Sequence, residues 1–438
     1  MNLASTTSAG ASRPNWVLVV AAALVSGLLL AGPALRRRYP VAGWLLLGFP
    51  VAAFRVMQTW RQLMAGCGLA VSRRPALMVV SGLVGNGAPP PQPRVPRRGL
   101  IRPTSGGFVL LVRLLPGQVP ENFVKVAPAM AEDWQVHAVR VTSWKPGVVR
   151  IVASAADPLA APRIPKQRGP GHLLRVTVGA LETGAAWVLD LRRVPHWLIV
   201  GATRSGKSTL INALVAGLAP QPVALVGIDC KGGMELSLYE PRLSALATNR
   251  EQAVRLLAAL VDLALDRMTV CRAARVRNIW GLSDKERPVL VVIVDELAEL
   301  FLVASRNEKD EAHAAGTALI RLAQLGAALG VFLVVAGQRV GSDLGPGVTA
   351  LRAQLGGRVC HRVADPGTAE MALGDLNPDA LKAAQAITPE QAGTAVLASG
   401  DGWERARSHL ITEAEAEAVA AECAHLTPVL SELHVDAR

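Results

Sequence analysis

The sequence predicts an α/β protein: a nucleotide-binding unit on a buried sheet, preceded by a small α+β module and an N-terminal membrane segment. Three observations predict it. "GATRSGKS" at 201–208 fits the phosphate-loop spacing G-x-x-x-x-G-K-[ST], between a short strand pattern and a helix pattern. "VLVVIVDELAEL" at 289–300 reads as a buried strand that ends in two acids. "NWVLVVAAALVSGLLLAGPAL" at 15–35 carries no charge and is long enough to cross a bilayer, which takes about 20 helical residues.

In chain order, residues 1–60 read as a membrane anchor. Arg36, Arg37 and Arg38 follow the first apolar run directly, and a second run, "VAGWLLLGFPVAAF" at 41–54, contains Pro50. Its length fits a tight second span, a re-entrant segment or an interfacial one, and two spans are the expectation. Two spans place the arginine triplet outside, against the positive-inside tendency, whereas Arg55, Arg61, Arg73 and Arg74 pull the other way. Residues 61–107 read as a basic linker rich in proline and glycine, whose arginines face either anionic lipid or DNA. Residues 108–170 hold the small module: strand "FVLLVRL", helix "PENFVKVAPAMAEDW", then strands "VHAVRVTSW" and "GVVRIVAS". Nothing catalytic stands out there, and packing or contact between copies is its default role.

The motor unit runs over 171–426, with a tail at 427–438. "HWLIV" at 196–200 precedes the phosphate loop and "STLINALVAGLA" follows it, so loop amides meet phosphate at a helix N-terminus. The nucleotide contacts expected are Gly201, Ala202, Thr203, Arg204, Ser205, Gly206, Lys207 and Ser208. Lys207 reaches the β- and γ-phosphates of ATP, and Ser208 ligates Mg²⁺ together with Asp295. Glu296 polarises the attacking water as general base, a pairing of acids that suits hydrolysis. Strand "VFLVVAGQ" at 331–338 ends in Gln338, placed to sense the γ-phosphate, and the glycine-rich loop 339–348 lies behind it.

Charge divides the 438 residues unevenly. Residues 1–170 hold 20 Lys/Arg against 4 Asp/Glu, and residues 171–438 hold 26 against 30, so the basic excess belongs to the N-terminal part. Any nucleic-acid contact by the motor must therefore come from local loops. The five cysteines form no CxxC pair and no metal-ligand spacing, which leaves them as small apolar residues of a reducing compartment.

On the blocks "PHWLIVGATRSGKS", "DCKGGMELSLYEPRL", "DRMTVCRAARVRNIWG", "VIVDELAEL", "VVAGQR" and "LRAQLGGRVCHRV", the chain from about 108 to 426 resembles the FtsK/SpoIIIE family of DNA translocases, and within it the transfer proteins of actinobacterial conjugative elements. The resemblance implies a RecA-like motor, a homo-hexameric ring around duplex DNA, and ATP at subunit interfaces completed by a neighbour's arginine. The apolar runs imply a cell-membrane anchor, and because a phosphate-loop domain needs ATP, the ATPase domain is expected on the cytoplasmic side. The arginine usual near the end of helix "TALIRLAQLGAALG" is Ala327 here, which leaves Arg321 or Arg358 as the trans arginine. Arg339, Arg352 and Lys231 are the expected DNA or coupling residues. Only about a dozen residues follow the motor, too few for the family's winged helix, so sequence recognition is expected from a shorter device or a partner protein.

The same motor implies other uses: chromosome segregation, type VII-like protein secretion, or a nucleotide-switched membrane scaffold. "GIDCKGGMEL" at 227–236 bears on that choice. Asp229 and Lys231 read either as a local ion pair with a Gly–Gly turn, or with Lys231 coupling nucleotide state to the pore.

Overall fold

The computed structural model describes residues 38–72, 93–157, 159–160, 172–282, 287–303, 308–374, 378–399 and 402–433, so the first apolar run, Arg73 and Arg74 lie outside them. It separates into two units, 1–157 and 158–438.

The N-terminal unit begins with a helix whose first part, Pro40–Gly43, passes through a π-helical turn, Trp44–Gly48, into α1 (Phe49–Gly66). Pro50 has no amide to offer the preceding turn, and a π-turn is one way a helix absorbs that loss. Among the described residues, Val41–Gly66 is the one helix long and apolar enough to cross a membrane. The expected second span, 41–54, is thus the first half of a longer helix with two apolar faces. Ala52, Val56, Trp60 and Met64, spaced four apart, are buried against the module, whereas Leu46, Val51, Phe54 and Met57 are exposed. Trp60 stacks on Trp134 at 6.3 Å between ring centroids, and its Nε1 donates to the Pro96 carbonyl at 2.9 Å.

The sheet of this unit runs β1 (Arg97–Arg98), β2 (Gly107–Arg113), β4 (Val148–Ser154), β3 (Ala138–Lys145), all antiparallel, with a short strand Arg102–Thr104 also on β2. Helices α2 (Pro120–Lys125) and α3 (Ala127–Trp134) cover one face together with α1. The stretch read as a linker differs here from its composition. Residues 97–104 pair with β2, so their arginines stand on a sheet.

The second unit holds a ten-stranded sheet. Its strands are β5 (Arg175–Leu181), β6 (Ala186–Asp190), β7 (His196–Val200), β8 (Val223–Ile228), β9 (Leu243–Ala247), β10 (Val289–Val294), β11 (Val331–Gly337), β12 (Gly357–His361), β13 (Thr394–Ser399) and β14 (Gly402–Ser408). The spatial order is β9-β8-β10-β11-β7-β12-β13-β14-β5-β6; the first six are mutually parallel and the last four join antiparallel. Every residue of β7, β8, β10 and β11 is buried, as continuous apolar runs in a parallel sheet covered on both faces demand. Helices α4 (Lys207–Leu218), α5 (Arg250–Ala273), α6 (Glu308–Leu329), α7 (Val348–Gln354) and α8 (Glu413–Glu422) supply the covering apolar faces. From β7 the chain crosses two strand positions to β8, and it later returns to β12 on the other side of β7. That reversal puts a crevice at the carboxyl end of β7, where open α/β sheets bind ligands.

Candidate functional site

The loop 201–208 occupies that crevice. Arg204 (φ 60°) and Gly206 (φ 105°) take left-handed backbone, which turns the chain sharply into α4. The loop is held from three sides. The Gly201 amide donates to the Gly337 carbonyl at 3.2 Å, Ala202 to Arg362 at 2.9 Å, and Gly393 donates to the Ser205 carbonyl at 2.9 Å. The Arg362 guanidinium returns to the Thr203 carbonyl at 3.1 Å. A Cβ on Gly206 would collide with the Gly393 backbone, so glycine is required there for close approach as well as for conformation. Beneath the loop, His361 is fully buried with Nδ1 donating to the Thr394 carbonyl at 3.1 Å. Gly393, Arg362 and His361 carry no signal in the sequence that marks them as site residues.

Four charged side chains meet beside the loop. Lys207 is 7% exposed, and its Nζ donates to the Asp295 carbonyl at 2.9 Å and to Glu296 Oε2 at 3.2 Å. Lys231, from the end of neighbouring β8, reaches Glu296 Oε2 at 3.4 Å and Asp295 Oδ2 at 3.8 Å. The other Glu296 oxygen, Oε1, accepts the Gln338 amide at 3.0 Å, and Thr203 Oγ1 donates to Gln338 Oε1 at 3.2 Å. The tips of β8, β10 and β11 and the phosphate loop therefore share one hydrogen-bonded cluster. Lys207, Asp295, Glu296, Gln338 and Lys231 all belong to it.

The electrostatics separate the two acids. Burial raises Glu296 by itself, but the Lys207 charge, the Gln338 amide and Lys231 outweigh it and hold the carboxyl below its usual range. Asp295 is more deeply buried, and burial wins there over Lys207 and Lys231, lifting its carboxyl above the usual range. Lys231 is pushed down by burial and, more strongly, up by Glu296 and Asp295, so it stays charged. Asp295 Oδ1 is buried without a hydrogen-bond partner among the described residues. That oxygen has Lys207 Nζ at 4.0 Å as its ion-pair neighbour, and a buried carboxylate oxygen without a hydrogen bond suits a hard divalent cation, so the residues present fit Mg²⁺.

Of the two readings of Asp229 and Lys231, the local ion pair is not what forms. Asp229 is 1% exposed, and its carboxylate accepts backbone amides: Lys231 at 3.2 Å on Oδ1, Glu235 at 2.8 Å and Leu236 at 3.2 Å on Oδ2. With its acid committed to closing the turn through Gly232 and Gly233, Lys231 turns to the next strand. The physical reason is reach: adjacent parallel strand ends lie about 4.8 Å apart, well within a lysine side chain.

The remaining arginines divide. Arg358 is 9% exposed and directed inward, its guanidinium donating to the carbonyls of Leu355 at 2.7 Å, Arg352 at 2.6 Å and Ala372 at 3.4 Å. Arg352 Nη1 donates to the Val340 carbonyl at 3.1 Å, tying α7 to the loop behind Gln338. Arg339 and Arg321 are exposed, the latter on α6.

The family described as the FtsK/SpoIIIE family matches residues 165–285 and 281–342. An N-terminal domain described as that of actinomycete conjugal transfer proteins matches 29–155. The transfer protein TraSA of Streptomyces ambofaciens is 40% identical over 387 residues, 85% of this chain and 92% of that protein. A sporulation regulatory protein of Streptomyces azureus is 49% identical over 242 residues, 55% of this chain and 80% of that one. Among solved structures, the monomer form of the pCW3 conjugation coupling protein TcpA with ATPgS covers 76% of this chain and 94% of its own, at TM-score 0.54 and 21% identity, a likeness of fold. The fold is that of a P-loop ATPase. With the one domain matched over 165–342, the other over 29–155 and TraSA alike over most of the length, the chain belongs to the FtsK/SpoIIIE family, among the actinomycete conjugal transfer proteins.

Proposed function

We propose that this chain is an ATP-driven translocase of double-stranded DNA in conjugative transfer, anchored at the cell membrane with its ATPase unit in the cytoplasm and working as a homo-hexameric ring. The observation that carries it is the cluster of Lys207, Lys231, Asp295, Glu296 and Gln338 at the tips of neighbouring parallel strands. It is a hydrolytic arrangement, because one acid is fixed at both oxygens and ionised while the other keeps an oxygen for a cation.

In this reading the phosphate loop and Lys207 hold the β- and γ-phosphates. The triphosphate draws Lys207 away from Glu296, and Lys231 remains to keep Glu296 ionised and aimed. Glu296 orients the attacking water and accepts its proton. Ser208 and Asp295 would hold Mg²⁺, which when bound neutralises charge on the transferring phosphoryl group. Gln338 touches both Glu296 and Thr203, so loss of the γ-phosphate is felt at the head of the loop 339–348, where Arg339 grips DNA phosphates without reading bases. Coupling to DNA follows from the family and from TraSA, a transfer protein by name. A scaffold that uses nucleotide only as a switch has no need of the doubly held Glu296.

The test is hydrolysis by the full chain with and without duplex DNA, together with Glu296→Gln. DNA is expected to stimulate hydrolysis with steep salt dependence, and the variant to lose about 10²–10⁴ in rate while still binding nucleotide. Equal hydrolysis with and without DNA sinks the translocase. A variant that hydrolyses nothing yet supports full transfer leaves the scaffold instead.

A further inference from the structure

The sheet of the N-terminal unit has a covered face and an open one, and strand alternation assigns each side chain to one of them. In β2, Phe108, Leu110 and Val112 are buried, so Val109, Leu111 and Arg113 stand on the open face. Residues directly opposite share a face, and the register then gathers the arginines. Arg97 lies opposite Arg113, Arg102 opposite Val109, and Arg150 opposite Leu111. The Arg150 guanidinium sits 5.4 Å from the centroid of Trp144, a ring that is 56% exposed.

Among the described residues of β1–β4, no carboxylate stands on that face, and Asp157, just past the end of β4, is met by His137 Nε2 at 3.7 Å. The acids between residues 97 and 154 are Glu121, Glu132 and Asp133, all on α2 and α3, which lie on the covered side. Like charges directly across a sheet destabilise it, so a surface of this kind is best satisfied by a polyanion. Four strands about 4.8 Å apart make a platform roughly 14 Å wide, and about 20 Å of duplex axis presents a dozen phosphate charges. A lipid surface is the other polyanion. However, α1 packs on the covered face and its exposed Leu46, Phe54 and Met57 point away from the sheet, so a bilayer meeting that stripe lies opposite the arginines.

We propose that the open face formed by Arg97, Arg102, Arg113 and Arg150 with Trp144 is a second DNA-docking surface. It grips the duplex backbone without sequence preference and independently of the nucleotide site. The proposal rests on the translocase reading only for the choice of duplex DNA as the polyanion.

The experiment measures anisotropy of a labelled duplex of about 30 base pairs with the full chain in detergent, without nucleotide, across about 50–200 mM salt. Arg113→Gln/Arg150→Gln and Trp144→Ala are compared with the parent protein. The double variant should weaken binding at least about tenfold and lower the log–log salt slope by about 2, with hydrolysis in the absence of DNA unchanged. Trp144→Ala should weaken binding with the slope unchanged. Unaltered affinity and slope overturn the proposal. So does loss of binding to phosphatidylglycerol vesicles with DNA affinity intact, or a change in oligomeric mass with DNA affinity intact. DNA-stimulated hydrolysis judges the motor, and the difference between parent and variants judges this face, so the two readings fail separately.

Discussion

Glu296 and His361 show how the site sets protonation through its surroundings. Glu296 is ionised because two lysines and an amide outweigh its burial, whereas the one hydrogen bond of His361 to the Thr394 carbonyl does not outweigh the burial of that ring. Burial pushes the His361 imidazole down to about 4, with Lys207 adding to the effect and the Thr394 carbonyl opposing it. His196, on β7, is also pushed down to about 4 by burial, and its Nδ1 accepts the Leu333 amide at 3.1 Å. An unfolded histidine has its pKa near 6.5, so between about 6.5 and 4 the unfolded chain binds protons that the folded one refuses. Stability is fully present above that window and is lost as pH falls through it. Calorimetry should therefore show a lower Tm at pH 5 than at pH 7, with a smaller drop in His361→Asn. An unchanged Tm across that interval would show that these rings are not held neutral. The sequence marks neither histidine, because burial is a property of the surrounding sheet.

At the scale of elements, the phosphate loop is a turn clamped by strands distant in sequence. Gly206 and Gly232 both carry positive φ, 105° and 77°, yet only Gly206 faces another backbone, that of Gly393. Gly206→Ala is thus expected to abolish nucleotide binding, whereas Gly232→Ala should cost about 1–2 kcal/mol of backbone strain and leave binding intact. Titration with a fluorescent ATP analogue, with Tm measured alongside, distinguishes them; equal behaviour would mean that the Gly393 contact is unimportant. The strands 196–200, 289–294 and 331–337 were legible because a strand covered on both faces must be apolar throughout. Helix α1 was harder to read. Its hydropathy suits a bilayer, but a module's apolar core is an equally good solvent for Val56 and Trp60, and hydropathy does not distinguish the two. Likewise, the arginines at 97–102 read as a linker because their pairing partners, residues 109–113, are specified by register rather than by local composition.

For the whole molecule, the sequence offers two arginines, Arg321 and Arg358, that a neighbouring subunit could supply. Arg358 spends its guanidinium on three carbonyls of its own chain, and Arg321 is exposed on α6, so Arg321 is the better candidate. In a ring, Arg321→Ala and Glu296→Gln each silence hydrolysis alone. An equal mixture restores about a quarter of the sites, those pairing an intact Glu296 with an intact neighbouring Arg321. Absence of recovery in mixed oligomers would remove Arg321 from that role. By itself the sequence determined the two-part charge distribution, the nucleotide loop, the acid-tipped strands and the family, because each is written in residues close together in the chain. Only the tertiary structure decided that Asp229 closes its own turn while Lys231 crosses to Glu296, that Gly393 buttresses the loop, and that scattered arginines share one sheet face. Those contacts join residues brought together by strand order and register, and no local pattern encodes which distant strand end will be the neighbour.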